Sequence, residues 1–212
     1  MMNKVYIIAK TQAVTPEEYR QYIHPIKTRR YGRLVKRALA TALKCIQESG
    51  IDQPDAIING TALGSWEDSE KILDGMTAEG EDVSMPTHFM LCTHNTVASI
   101  IGIYTHNHGY NNTYSQGKVS LESAMLDAFL QLQMGKIKTA LVCQNDELTP
   151  GLKDKIEKAG LHPANLVNDD AIAYMLSTEK GEHAIAEISD IIIHHTPHGD
   201  EAKIITIPCT NQ

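Results

Sequence analysis

The stretch TYSQGKVSLESAMLDAFLQLQMGKIKTALV, residues 113–142, decides the fold of this chain. It predicts a short strand, a tight elbow (SQGK, 115–118), an amphipathic helix over 119–134 and a second strand over 138–143. A sharp turn from a strand into a helix exposes one side chain at the helix N-terminus, where enzymes often place a nucleophile. Here the residue at the tip of the elbow is a lysine, Lys118.

Strand and helix patterns alternate along the rest of the chain. Strands are predicted over 5–9 and in DAIINGTALG (55–64), and helices over 33–49, after a Ser65 cap, over 95–104 and over 151–159. A loop is expected from 81 to 93. The runs 170–178 and 184–195 are typical of the two strands of a hairpin.

This order predicts the fold class. We expect an α/β fold in one domain over 1–212, with a mostly parallel, five-stranded mixed sheet flanked by helices.

The composition indicates an ordinary globular protein. Of its 212 residues 42% are hydrophobic and 21% are charged, and the net charge of −7 argues against a nucleic-acid partner. Six basic residues lie within 27–37, and we expect them to form a solvated helix start. Cys45 and Cys143 lie in apolar runs and are expected to be buried thiols. With no apolar run of about 18 residues, we expect no membrane partner and a cytoplasmic location.

Five segments in order resemble the N-terminal half of the β-ketoacyl synthases, the condensing enzymes of fatty-acid and polyketide assembly with a thiolase-like fold. They are RRYGRLVKRALATAL (29–43), AIINGTALGSWEDSEKIL (56–73), MPTHFMLCTHNTVASIIGI (85–103), NNTYSQGKVSLESAMLDAFLQLQMGKIKTALV (111–142) and NDDAIAYMLSTEKGEHAIAEISD (168–190). The resemblance implies the N-terminal half of that fold.

The chain departs from the family pattern at the positions of the family's catalytic residues. Counting back without gaps from Gly135 puts Lys118 at the position of the family's nucleophilic cysteine. Gln144-Asn145 replaces a Gly-Gly pair, and the family's second half, with its two catalytic histidines, is not expected in this chain. No residue is therefore assigned as catalytic.

Three interpretations of Lys118 remain open. It extends into solvent or pairs with Glu122 at i+4; it binds an anionic group such as a phosphate or a malonyl carboxylate; or, if buried, it acts as a nucleophilic amine through a Schiff base. Ser115 is expected to cap the following helix. The substrate-binding candidates are Lys118, Ser115, Gln116, Asn95 and Asn145.

We expect neither a metal nor a cofactor. The histidines of HNH (106–108) and HHTPH (194–198) lack a complete ligand pattern, and neighbouring residues on a strand, such as His194 and His195, point to opposite faces. The loop NGTALGS (59–65) has neither the lysine nor the spacing of a phosphate-binding loop.

The resemblance implies a non-condensing, ketosynthase-like accessory protein that works beside a full-length ketosynthase and an acyl carrier protein. A small acyl-thioester-handling enzyme that uses Lys118 or nearby polar residues is the alternative, and a domain used only for protein–protein contact is a third possibility. Without the second half, an apolar helix surface would face water, so we expect a homo- or hetero-oligomer, for example through an edge strand at 111–115.

Overall fold

A computed structural model describes residues 2–80, 84–162, 167–197 and 199–209. Within these ranges the chain forms one seven-stranded sheet with the strand order β3-β2-β4-β5-β1-β6-β7. The strands are β1 (Val5–Gln12), β2 (Ala56–Gly60), β3 (Tyr110–Tyr114), β4 (Thr139–Asn145), β5 (Ala171–Ser177), β6 (Ala186–Thr196) and β7 (Gly199–Pro208). The helices are α1 (Tyr19–Tyr22), α2 (Arg33–Ser49), α3 (Trp66–Glu79), α4 (Pro86–Leu91), α5 (Thr96–Thr105), α6 (Ser120–Gln133) and α7 (Pro150–Lys158).

Helices cover both faces of the central strands, so these strands are apolar throughout. Ile57 of β2 packs with α2 and α5 on one face, whereas its neighbour Ile58 packs with α6 on the other. In β4, Leu141 and Val142 divide between the two faces in the same way. Successive side chains of a strand point to opposite faces, so a strand buried on both sides shows a continuous apolar run. The expected α/β layering is confirmed.

The sheet differs from the expected one in its strand count and pairing. It has seven strands rather than five, and only the pairs β2–β3 and β2–β4 are parallel; the other four are antiparallel. The predicted hairpin of β5 with β6 is wrong, because β1 lies between these two strands and pairs with both. The connection over 178–185 is long enough to cross β1, and β6 forms its hairpin with β7 instead.

The segment over 113–142 forms the predicted strand, helix and strand. The predicted helix over 119–134 is α6, preceded by a 3₁₀ turn at Gly117–Val119, and the predicted strand over 138–143 is β4. In the loop expected over 81–93, residues 81–83 lie outside the described ranges and 86–91 form α4.

The outer surface of α6 is covered only in part. Leu121 and Leu126, together with Ile204 of β7, are partly buried against the same core cluster, while Leu130 is 44% exposed. The β6–β7 hairpin therefore shields some of the helix surface that was expected to face water.

Candidate functional site at the elbow

The carboxyl ends of three parallel strands meet at one edge of the sheet. β3 ends at the elbow, β2 ends before the loop that begins with Thr61, and β4 ends directly before Asp146-Glu147. In open α/β sheets the crevice outside these strand ends is the usual place for a ligand site. The topology therefore brings together three segments that are distant in sequence.

Small residues and one serine fix the shape of the elbow. Gly117 has φ +56°, a left-handed conformation that glycine adopts without strain. The Ser120 hydroxyl accepts a hydrogen bond from the N–H of Gln116 (2.9 Å) and is 2.7 Å from the Gly117 carbonyl oxygen. At Gly60, a Cβ atom would lie 2.6 Å from the Ser120 carbonyl oxygen, so only glycine allows α6 to approach β2 this closely.

Lys118 lies exposed at the tip of the elbow, between two cavities. A cavity of about 150 Å³ is lined by Ala62, Gly117, Lys118, Gln144, Asp146, Val167 and Asn168. A second cavity of about 570 Å³ lies between the elbow and the β6–β7 hairpin, lined by Gln116, Gly117, Lys118, Gly199, Asp200 and Glu201. Lys118 forms no ion pair within the described ranges, so the pairing with Glu122, one form of the first interpretation, is not made.

Asp146 holds the loop after β2 in place. Its Oδ1 atom accepts hydrogen bonds from the Thr61 hydroxyl (2.9 Å) and from the N–H groups of Ala62 (2.8 Å) and Leu63 (3.0 Å). The residue is 1% exposed, and within the described chain its Oδ2 atom has no hydrogen-bond partner. Burial raises the pKa of Asp146, although these hydrogen bonds and the charge of His94 oppose the shift.

The neighbouring carboxylate, Glu147, holds the start of α3. Its Oε1 atom accepts a hydrogen bond from the N–H of Glu67 at 3.1 Å, and the residue is 1% exposed. Burial raises the pKa of Glu147, while the hydrogen bond from Glu67 acts against the shift. Asp146 and Glu147 together therefore fix two loops that border the elbow.

Two arginines of α2 complete a polar group that we call the arginine–carboxylate cluster: Arg33, Arg37, Glu147 and Asp169. Arg33 and Arg37 each donate to the Asp169 carboxylate at 2.9 Å, and Arg37 also donates to the carbonyl oxygens of Asp146 and Asp170. Burial works to raise the pKa of Asp169, but the bonds from Arg33 and Arg37 outweigh it and the pKa is lowered. Arg37 is 9% exposed, so the prediction of a solvated helix start is wrong for this residue.

The structure brings some of the candidate residues together and separates others. Ser115 and Gln116 lie with Lys118 on the elbow, where the Ser115 hydroxyl is 3.5 Å from the Ala62 carbonyl oxygen and Gln116 Oε1 accepts from Ser123. Ser115 does not cap α6, which begins after Val119 without a side-chain cap.

The two asparagines occupy different places. Asn145 is 1% exposed and its amide donates to Asn59 Oδ1 at 2.8 Å, so it bridges β4 and β2. Asn95 lines a separate groove of about 460 Å³ beside α4 and α5. Their roles in substrate binding stay predictions.

The cysteines are placed away from the elbow. Cys45 and Cys143 are buried as expected. Burial raises the pKa of Cys45 to about 12, and burial also raises the pKa of Cys143 above its ordinary value. Cys92 follows α4 and Cys209 follows β7. A thiol with a raised pKa holds its proton at neutral pH and is a poor nucleophile.

The histidine motifs bear on a metal site, and the lengths of the helices bear on a membrane span. His195 Nδ1 lies 2.7 Å from Asp200 Oδ1, and His198 lies outside the described residues. In the part of the chain that the structure describes, no three His, Cys, Asp or Glu side chains are grouped as metal ligands. No described helix is long and apolar enough to cross a bilayer.

Sequence reasoning missed Asp146, Glu147 and the arginine–carboxylate cluster. A signal for the first two was present, because an acidic pair directly follows the apolar strand β4, where the ends of parallel strands meet. For Arg37 no local signal exists, since its partner Asp169 lies 132 residues away in the sequence.

Comparison with known proteins tests the resemblance drawn from the sequence. The family model described as "Beta-ketoacyl synthase, N-terminal domain" matches residues 6–203. Among curated proteins, no match was found.

Three solved structures share the fold at low sequence identity. A type II polyketide synthase acyl-carrier protein in complex with its ketosynthase bound to the hexaketide has a TM-score of 0.78 at 12% identity, over 93% of this chain and 71% of that one. A ketosynthase with its chain length factor from Xenorhabdus doucetiae has a TM-score of 0.67 at 17% identity, over 92% and 84%. For a β-ketoacyl synthase from Burkholderia phymatum the TM-score is 0.72 at 15% identity, over 92% of this chain but only 65% of that one.

These neighbours confirm the fold. They show the fold alone, because their sequence identities are too low to carry function. The aligned region reaches less than two thirds of the Burkholderia enzyme, so the activity of such a complete protein does not transfer with the fold. The family itself follows from the match over residues 6–203: this chain belongs to the β-ketoacyl synthases and carries their N-terminal domain.

Proposed function

We propose that this chain is a non-condensing, ketosynthase-like accessory protein of fatty-acid, polyketide or aryl-polyene-type biosynthesis. It would act beside an active ketosynthase and an acyl carrier protein. The observation that carries the proposal is the elbow, where an exposed lysine stands at the tip and the thiols lie elsewhere. Condensation needs a thiolate, whereas burial keeps the Cys45 and Cys143 thiols protonated.

The solved neighbours support a role in a complex. Two of them are complexes of a ketosynthase with its acyl-carrier protein or with its chain length factor. A protein that keeps the fold but lacks the nucleophile is suited to shape or stabilise a partner.

The surface offers a place for such a partner. Phe89, Met90 and Ile103 are each at least 70% exposed, and the last two line the groove beside α4 and α5. Among the described residues β3 is the edge of the sheet and pairs only with β2, so its outer backbone groups are open to another strand. Exposed apolar groups and an open edge together favour association.

Co-expression with a ketosynthase and a carrier protein from the same biosynthetic system tests the proposal. We expect a stable complex with the ketosynthase by light scattering, which Ile103→Glu should weaken and Leu161→Glu should not, because Leu161 is exposed but lies outside the groove. The chain alone should form no condensation product from acyl- and malonyl-thioesters.

Two results would contradict this role. If the chain stays a monodisperse monomer and does not bind the ketosynthase, this result argues against an accessory subunit. Thioester turnover by the isolated chain that disappears in Lys118→Ala would support the acyl-thioester-handling enzyme instead.

A further inference from the structure

The sheet has a second open edge at β7, far from the surfaces assigned above to a ketosynthase. β7 has ten residues, against five in β3, and within the described ranges it pairs only with β6. A long edge strand offers unpaired backbone groups to another strand, so natural proteins usually shorten it, cover it or place charges or proline on it. Between Lys203 and Pro208, β7 carries three isoleucines and a threonine, so this part of the edge has none of these protections.

Two hydrogen bonds give the direction of the backbone groups along β7. The N–H of Cys209 donates to the carbonyl oxygen of Ile185, which directly precedes β6, at 3.0 Å. The Ser189 hydroxyl of β6 donates to the carbonyl oxygen of Ile205 at 3.1 Å. Odd-numbered residues of β7 therefore face β6, and because the direction alternates along a strand, even-numbered residues face outward. These outward-facing residues are Asp200, Ala202, Ile204 and Thr206.

Two opposite charges stand beside this open edge. Glu201 and Lys203 are exposed, and neither belongs to an ion pair among the described residues. They are two residues apart on one strand, so their side chains share a face and their backbones lie about 7 Å apart. An antiparallel partner strand can bring an opposite charge to within about 5 Å of each.

We propose that β7 pairs with β7 of a second copy of this chain, antiparallel and about a two-fold axis at Ala202. In this register Glu201 lies opposite Lys203 of the second copy, and Lys203 lies opposite its Glu201. Both pairs occupy non-hydrogen-bonded positions, where side chains across a ladder come closest. The outward backbone groups of Ala202 meet those of the second Ala202, and those of Asp200 meet those of Ile204. The same surface serves both copies, so the contact closes as a dimer.

Charge selects this register over its neighbours. An axis at Lys203 sets two ammonium groups directly opposite each other, and an axis at Glu201 does the same with two carboxylates. Like charges at opposite positions destabilise a strand pair. An axis at Ile204 or Ile205 sets Lys203 across from an isoleucine, so its charge stays unpaired. Only the axis at Ala202 gives both charged residues an opposite partner.

The second-copy contact is separate from the accessory role. β3 and β7 stand at opposite ends of the strand order, so the contact at β7 leaves the β3 edge open. A ketosynthase and a second copy can therefore bind at the same time. The complex with the ketosynthase would then contain two copies of each chain.

Sedimentation equilibrium of the chain alone, over a series of concentrations, tests the proposal. We expect a reversible dimer. Glu201→Lys and Lys203→Glu each turn two opposite-charge pairs into two like-charge pairs, so each should weaken the dimer roughly tenfold. The double variant restores opposite charges in exchanged positions, so its dissociation constant should return to within about twofold of the original.

A backbone variant tests the strand pairing itself. Ala202→Pro removes an N–H that faces outward and leaves the bonds to β6 intact, since a strand tolerates proline where its N–H faces away from the sheet. It should abolish the dimer, and circular dichroism checks that the chain still folds. Lys136→Glu is the control: it makes the same charge change as Lys203→Glu at an exposed residue beyond the end of α6 and should leave the dimer unchanged.

A chain that stays a monomer at every concentration overturns the proposal. A dimer that withstands both single charge reversals, or one that the double variant fails to restore, overturns it as well. If Ala202→Pro does not fold, the three charge variants still decide the question. A monomer that nevertheless binds a ketosynthase leaves the accessory role in place, whereas a dimer that binds none contradicts the accessory role alone.

Discussion

The tip of the elbow and the arginine–carboxylate cluster differ in the burial and pairing of their charged side chains. In the cluster, Arg37 is nearly buried and donates to Asp169 and to two carbonyl oxygens. At the tip, Lys118 is exposed and forms no ion pair in the described ranges. The chain therefore uses its buried polar groups to hold the loops around the elbow and leaves the tip available for a ligand or a partner.

The largest expected effect comes from breaking the cluster. Arg37→Met removes one of the two guanidinium groups that donate to the Asp169 carboxylate and breaks the bonds to the Asp146 and Asp170 carbonyl oxygens, so the free energy of unfolding should fall by about 3 kcal/mol. Urea unfolding measures the change.

Lys36→Met is the control for this experiment, since the neighbouring Lys36 belongs to none of the described ion pairs. It should change the free energy of unfolding by no more than about 0.5 kcal/mol. Equal losses for both variants would mean that the cluster does not stabilise the fold.

A substitution at the turn of the elbow should cause the next largest loss in the free energy of unfolding. Gly117→Ala places a side chain at φ +56° with nothing within 4 Å, so the loss of about 1 kcal/mol comes from the backbone alone. Gly50→Ala has the same features at φ +69° and should lose the same amount. Thermal unfolding compares the two variants.

A smaller effect on stability should come from the titration of two buried carboxyl groups, Asp146 and Glu147, as the pH changes. Because burial raises the pKa of Asp146 above its usual 3.8, the folded state binds this proton more tightly than the unfolded state does. The contribution of Asp146 to stability is therefore full below pH 3.8 and is lost as the pH rises through its folded pKa. Glu147 acts in the same direction above its usual 4.5.

Asp146→Asn removes one of these two contributions. The stability of the variant relative to the unmodified protein should improve as the pH rises above 3.8 and through the folded-state pKa of Asp146. Chemical unfolding at a series of pH values measures this difference. A difference that worsens over this range would mean that the folded-state pKa of Asp146 is lowered rather than raised.

The smallest effect is expected at the tip itself. Lys118 is exposed and unpaired within the described residues, so Lys118→Met should change the free energy of unfolding by less than about 0.5 kcal/mol. Thermal unfolding checks this. A loss as large as that of Arg37→Met would show that Lys118 is part of the scaffold, and the contrast between the two regions would disappear.

Local patterns predicted the local structure around the elbow. The apolar spacing in α6, the continuous apolar run of β4 and the glycine at 117 each carry their signal within a few residues. The burial of Cys45 and Cys143 followed from their apolar neighbours in the same way.

Features that depend on distant partners were not predictable from these patterns. The β5–β6 hairpin was inferred from two adjacent strand patterns, but nothing near them shows that β1 lies between them. Arg37 has the sequence environment of a solvated residue, and its burial depends on Asp169, 132 residues away. The cavity beside Lys118 likewise needs three strand ends that only the folded sheet brings together.

The position of β1 has a consequence for the order in which the molecule is assembled. β1 leads the chain, yet both of its neighbours, β5 and β6, come from residues 172–188. During synthesis, the apolar side chains of Val5 and Ile7 therefore have no strand partner until residues 172–188 have emerged from the ribosome. Pairing over such separations is slow and leaves unpaired strands open to aggregation. We expect the yield of folded protein to depend on the speed of translation, with slower synthesis at low temperature favouring the native sheet.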